Sequence, residues 1–282
     1  MLWYDYEKDG GVLGAMIISA SRRTDIPSYF SDWFFDRIAE GFVHVRNPMN
    51  FKQVSKIDLT PTAVDGIVFW TKNPIPMLDR LEELNSYMYY FHFTITPYGK
   101  DIEPKLPSKN ALIKAFQYLS DRIDTDRVIW RYDPILINSK YTVDYHIHAF
   151  GKIADALHPY TKKVVISFID TDYKSVKRNI KALALSNFSE EMKIRLAIKI
   201  AEIANNYGLT IEACATPLNL AEYDINPSRC IDSSLFSKLL GYELGIKKDK
   251  GQRPECGCAV SRDIGSYNTC ENGCMYCYAN YL

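Results

Sequence analysis

Residues 66–74 read GIVFWTKNP, a continuous β-rich apolar run that ends in polar, turn-forming residues. The same two-part phrase recurs five times. MIISA precedes Ser21-Arg22-Arg23-Thr24-Asp25, YYFHF precedes Thr94-Ile95-Thr96, and RVIW precedes Arg131-Tyr132-Asp133-Pro134. VVISFI precedes Asp170-Thr171-Asp172, and LTIEAC closes the series at Cys214. Unbroken runs of this length suit strands buried on both faces, as in a parallel sheet.

Helical patterns fill the intervals. The clearest covers Ser189 to Tyr207: Ser189 caps it, Glu190 and Glu191 suit its positive end, and Gly208 ends it in a left-handed turn. Leu196, Ile200, Ile203 and Tyr207 fall on one of its faces. Further helices are expected over Asp32–Glu40, Met77–Asn85, Asn110–Asp121, Val143–Leu157 and Tyr173–Leu183. Strand alternating with helix predicts an α/β protein with a parallel sheet. Two closures are open, a full or partial (β/α) barrel of TIM type or a doubly wound sheet. Residues 16–250 are close to the barrel's usual length of about 250, and no GxGxxG follows the first strand, so the barrel is favoured. In either closure the polar groups after the strands gather at one rim, where such folds keep their active sites.

The composition is ordinary for a folded chain: 282 residues, 47% hydrophobic and 24% charged. The 34 basic residues balance 34 acidic ones, so the chain as a whole lacks the basic footprint of a nucleic-acid binder. No run of about 18 apolar residues exists to span a membrane. Residues 1–15 mix acidic residues with glycines, unlike a secretory signal, and read as a loose extension. Met16 could itself be the start, and the cytoplasm is the expected location.

Cysteines carry the chemistry. Of seven, none precedes residue 214, and five lie among the 22 residues from Cys256 to Cys277. An odd, clustered set without an export signal argues for metal or redox chemistry over disulfides. Residues 251–282 thus form a cysteine-rich tail in which Cys270, Cys274 and Cys277 make C-x3-C-x2-C, with Tyr276 before the last. Thiolates suit iron–sulfur clusters and zinc. Three from one loop can hold three corners of a [4Fe-4S] cluster and leave one iron open, as a catalytic site requires. Asn272-Gly273 supplies the tight turn. Cys214, Cys230, Cys256 and Cys258 number four, enough for a second, fully ligated cluster. They could also supply a fourth ligand to the first, or a thiol that gives a hydrogen atom to a substrate radical. A structural zinc site using Cys256 or Cys258 is the competing reading, and Cys214 or Cys230 can equally be a buried small hydrophobe.

The triplet resembles the signature of the radical S-adenosylmethionine superfamily, C-x3-C-x-aromatic-C, and CENGCMYCYA is most similar to its spore photoproduct lyase branch. From ISASRRTDIP through RNPMN, FWTKNP and WRYDPI to the last cysteines, residues 16–282 resemble a radical-SAM-like family of unknown function whose cysteine cluster is C-terminal. That resemblance implies a barrel, a [4Fe-4S] cluster, and S-adenosylmethionine cleaved to a 5′-deoxyadenosyl radical. It also implies an electron donor such as ferredoxin or flavodoxin, and leaves the substrate open, a small molecule or one derived from nucleic acid. In the superfamily the cysteine loop follows the first strand. Here only five residues follow Cys277, so a shared barrel would be permuted.

Around the rim, Arg22, Lys72, Thr94, Arg131 and Tyr276 are the candidate cofactor-binding residues, the cations for a carboxylate or phosphate. Arg23, Asp25 and Asp133 are either rim ion pairs or ligand contacts, while Thr96 and Glu212 are expected to line the cavity. Glu103, in GKDIEPKLP, is expected to be a solvated loop acid.

Overall fold

The computed structural model describes residues 15–281; the expected extension over residues 1–15 lies almost wholly outside them. The strands are β1 (Ile17–Ala20), β2 (Phe42–Arg46), β3 (Val54–Asp58), β4 (Gly66–Thr71), β5 (Tyr89–Thr94), β6 (Val128–Ile135), β7 (Lys163–Phe168), β8 (Thr210–Ala213), β9 (Asn226–Pro227) and β10 (Arg262–Asp263). The helices are α1 (Ile26–Tyr29), α2 (Ser31–Glu40), α3 (Lys109–Ile123), α4 (Val143–Leu157), α5 (Lys174–Leu183), α6 (Glu190–Asn206) and α7 (Ser233–Leu240). Each apolar run in the sequence is one of these strands. Ser189 caps α6 by accepting from the Met192 N–H at 3.3 Å, and Gly208 follows the helix at φ +69°. The helix expected near Met77–Asn85 is a 3₁₀ helix, Ile75–Leu84, entered through Pro74 and Pro76, which lack the N–H groups of a regular first turn.

Eight strands form one parallel sheet in the order β10-β1-β4-β5-β6-β7-β8-β9, while β2 and β3 pair apart as an antiparallel hairpin that was not expected. The closed barrel is not formed. β9 and β10 are the two edges, and no pairing joins them among the described residues. Each is two residues long, so neither offers the ladder that closure needs. The strands from β1 to β9 in this sheet are laid down in one direction, and only the last, β10, lies on the other side of β1.

The two faces of the sheet differ, as a period of two requires. Ile18, Phe69, Phe91, Trp130 and Ile166 point to one face and pack with α2, α3, α4 and α6. Ile17, Val68, Tyr90, Ile129 and Val165, one residue out of phase, form a second core with Ile231, Phe236 and Leu244. Gly66 permits this packing: a Cβ there would lie 2.2 Å from the Phe236 ring. This second core floors the space under the strands' C-terminal ends, and each strand's next residues on that face, such as Lys72, Thr94, Arg131 and Ser167, face the cavity above it.

The stretch from residue 251 onward joins the sheet. β10 pairs beside β1, where Asp263 accepts from Ser19 Oγ at 2.6 Å, Ser21 Oγ at 2.7 Å and the Arg22 N–H at 2.9 Å. No helix of the described residues is long and apolar enough to cross a membrane.

Candidate functional site

A cavity of about 350 Å³ opens at the C-terminal edge of the sheet, and all seven cysteines line it. Arg22, Lys72, Thr94, Arg131 and Tyr276 line it too. Thr96 and Glu212 do not. Thr96 Oγ1 donates to Glu103 at 2.7 Å, and Glu212 pairs with Lys163 at 2.5 Å.

Asp25 fixes the first wall. Its carboxylate accepts from Thr71 Oγ1 at 2.7 Å, the Lys72 N–H at 2.8 Å, the Ser28 N–H at 3.2 Å and Asn272 Nδ2 at 3.0 Å. One buried side chain thereby ties the end of β1, the end of β4 and the cysteine loop together. Burial raises its pKa, against the pull of these donors. Asp25 is therefore a positioning group rather than a rim ion pair.

The cysteine loop docks on this wall. Met275 N–H donates to the Ile102 carbonyl at 3.0 Å, Asn179 Nδ2 donates to the Met275 carbonyl at 2.8 Å, and Gly273 takes the left-handed conformation at φ +68°. Cys274 and Tyr276 pack against Tyr98, Ile102, Val176 and Leu183. Burial pushes the Cys270 thiol up to about 11 and raises Cys274 and Cys277, with Lys72 opposing the rise at both of the latter.

Beneath the loop lies a group that sequence reading missed. Glu103 is 1% exposed, not a solvated loop acid. It binds Lys72 Nζ at 3.0 Å, Lys109 Nζ at 2.5 Å and Thr96 Oγ1, and it accepts from the Tyr276 hydroxyl. Burial alone would raise its pKa, but the two ammonium groups and their hydrogen bonds hold it down at about 2. Lys72 is thus already paired, and the Tyr276 hydroxyl is committed to Glu103. Arg131 is committed as well: its guanidinium binds Asp133 at 2.5 Å and donates to Cys230 Sγ at 2.8 Å. Arg22 differs. Its guanidinium contacts Ser261 Oγ at 3.4 Å and lies over the Trp70 ring at 5.9 Å, with no ion pair among the described residues.

The other four cysteines line the same cavity. Cys214 Sγ lies 3.4 Å from Cys230 Sγ, Cys230 touches Cys258, and Cys258 touches Cys256. Contacts from Cys214 and Cys258, with Arg131 adjacent, hold Cys230 well below the ordinary thiol value. Among the described residues no three Cys, His, Asp or Glu side chains are grouped as the ligands of a single metal ion would be.

These features define a class: an α/β protein with a one-directional parallel sheet and a thiol-lined cavity at the strands' C-terminal edge. Residues 17–279 match the model of a domain of unknown function, DUF1848, and the chain belongs to that family. None of the curated proteins matches it. A solved structure described as a "putative alpha-L-fucosidase" from Bacteroides thetaiotaomicron is similar at 11% identity over 82% of this chain and 85% of that one, with a TM-score of 0.29. So low a score carries no argument about fold or activity.

Proposed function

We propose that this chain is an iron–sulfur protein of the radical S-adenosylmethionine type, with Cys270, Cys274 and Cys277 holding a [4Fe-4S] cluster at the cavity. The observation that carries the reading is that the three thiols, from one docked loop, line the same cavity as the polar ends of β4, β5 and β6. The strand order supports a partial (β/α) barrel opened between β9 and β10. In that reading β10 is the barrel's first strand displaced to the end of the chain, and the cysteine loop still follows it.

The donor set fits the group. Three thiols with no carboxylate among them suit iron and sulfide. Because burial keeps these thiols protonated, loading releases protons, and the Lys72 cation favours the Cys274 thiolate. When bound, a reduced cluster of this kind supplies the electron that cleaves S-adenosylmethionine to a 5′-deoxyadenosyl radical. The chain's own part is positioning. Arg22, the rim cation without an ion pair, is placed to bind a carboxylate, with the Thr94 hydroxyl as a second donor. Lys72, Arg131 and Tyr276 shape the wall through Glu103 and Asp133 instead of reaching the ligand. The electron comes from a donor of the ferredoxin or flavodoxin class, and the substrate is a small molecule or one derived from nucleic acid.

The commitment of Lys72 and Arg131 favours one second reading, a non-catalytic iron–sulfur protein that transfers electrons or senses redox state without S-adenosylmethionine. Anaerobic reconstitution followed by a titration with S-adenosylmethionine, watched by electron paramagnetic resonance, separates the two. A changed cluster signal supports the first, and an unchanged one the second. Stoichiometric zinc without acid-labile sulfide would sink both and leave a structural zinc tail.

A further inference from the structure

The four cysteines outside the C-x3-C-x2-C loop come from three separate stretches: the end of β8, the segment after β9, and residues 256–258. They nevertheless meet in one continuous row, Cys214–Cys230–Cys258–Cys256, along the wall of the cavity that the triplet also lines. Packing alone does not require sulfur at four contiguous positions, where Ala or Val would serve.

The backbone beneath the row is held firmly. The Cys230 carbonyl accepts from the Tyr90 hydroxyl at 2.7 Å and faces His92 Nε2 at 2.7 Å, while the Cys214 N–H donates to the Ile166 carbonyl at 2.8 Å. Two N–H groups point at the sulfurs themselves, Arg131 Nη1 to Cys230 Sγ at 2.8 Å and the Ile231 N–H to Cys258 Sγ at 3.5 Å. Hydrogen bonds to ligand sulfurs, a nearby cation and an apolar surround are the levers by which a protein tunes an iron–sulfur cluster. All are present here, the apolar surround being the second core with Ile17, Val68 and Ile129.

We infer that Cys214, Cys230, Cys256 and Cys258 hold a second iron–sulfur cluster, ligated by protein at every corner. Loading releases the protons that these side chains still carry. The row must open around the cluster, since sulfurs now in contact become ligands of different irons. With no open iron this cluster binds no substrate. It gains one electron from a reduced ferredoxin- or flavodoxin-class donor and passes that electron on. Its delivery to the cluster at Cys270, Cys274 and Cys277 rests on the function proposed above, whereas the four-thiolate site itself does not.

The test is anaerobic reconstitution of the full chain with ferrous iron and sulfide. The expected result is about eight irons and two paramagnetic species on reduction. The triple variant C270A/C274A/C277A is expected to keep about four irons and one species, and C230A/C258A to keep about four irons and the other species. About four irons and one species in the unaltered chain, with no iron left in the triple variant, would overturn the second cluster. Zinc in place of iron at the four-cysteine wall of the triple variant would also overturn it. If C230A/C258A loses all iron while the triple variant keeps four, the second site stands and the reading of the triplet fails.

Discussion

Glu103→Gln tests the electrostatic construction beneath the cysteine loop. The substitution keeps the shape but removes the only carboxylate paired with Lys72 and Lys109 among the described residues. A carboxyl held at about 2 instead of its ordinary 4.5 contributes about 3 kcal/mol at pH 7, at about 1.4 kcal/mol per pH unit. That agrees with the roughly 3–5 kcal/mol lost when one partner of a buried pair is removed. For 282 residues the unfolding entropy is about 0.6 kcal/mol/K, so the melting temperature should fall by about 5 °C.

The sign with pH follows from the depressed folded value. The stabilisation is complete above the unfolded pKa of 4.5 and is lost as pH falls through the folded value of about 2. At pH 3 about 1.4 kcal/mol should remain, so the gap between the two proteins should narrow by about 2 kcal/mol. Urea unfolding followed by circular dichroism at pH 7 and pH 3, on metal-free protein, measures both gaps. A loss under about 1 kcal/mol at pH 7, or a gap that does not change with pH, would refute the reasoning. Adding Lys72→Met to Glu103→Gln should recover part of the loss, since it removes a cation left without its partner.

Asp25→Ala leaves the donors of Thr71, Lys72 and Asn272 without their acceptor, so it should cost about 3 kcal/mol and free the cysteine loop. Faster alkylation of Cys270, Cys274 and Cys277 in metal-free protein, with Cys258 unaffected, checks the second effect. Gly66→Ala places a methyl 2.2 Å from the buried Phe236 ring, and denaturant midpoints should show a loss of about 1–3 kcal/mol. Arg131→Gln removes a charged donor from Cys230 Sγ, so redox potentiometry should show one cluster signal moving to more negative potential while the other stays in place.

The apolar runs were legible in the sequence because a buried parallel strand needs nothing but its own side chains to declare itself. The rim followed from them: Lys72, Thr94 and Arg131 stand just beyond or at the ends of β4, β5 and within β6, and all three line the cavity. What was hidden depends on distant partners. Glu103 sits in an irregular loop, and its burial is decided by Lys72, Lys109 and Tyr276, the last of them 173 residues away. Asp25 was expected to be a rim ion pair or a ligand contact; it caps α1 instead, and its remaining bonds reach Thr71 and Asn272. Sheet closure was equally beyond reach, for it turns on β9 and β10, each too short to show a period.

The order of the chain and the geometry of the site are reconciled at β10. A loop at the very end of a sequence would ordinarily be free to dock anywhere on the surface. Here its position is set before the first cysteine of the triplet is reached, because Arg262 and Asp263 pair with Ile18 and Ser19 and enter the sheet parallel to β1. A parallel strand delivers the residues that follow it to the C-terminal edge, where the other strands deliver theirs. Gly265 then passes so close to β1 that a Cβ would meet Ser21 Oγ at 2.1 Å, and seven residues later the loop reaches Asn272 and Asp25. The two ends of the described chain are therefore joined by hydrogen bonds at the rim, as neighbouring strands of one sheet. Chain order can place the cysteines last without moving them, since what fixes their location is the direction of the strand before them.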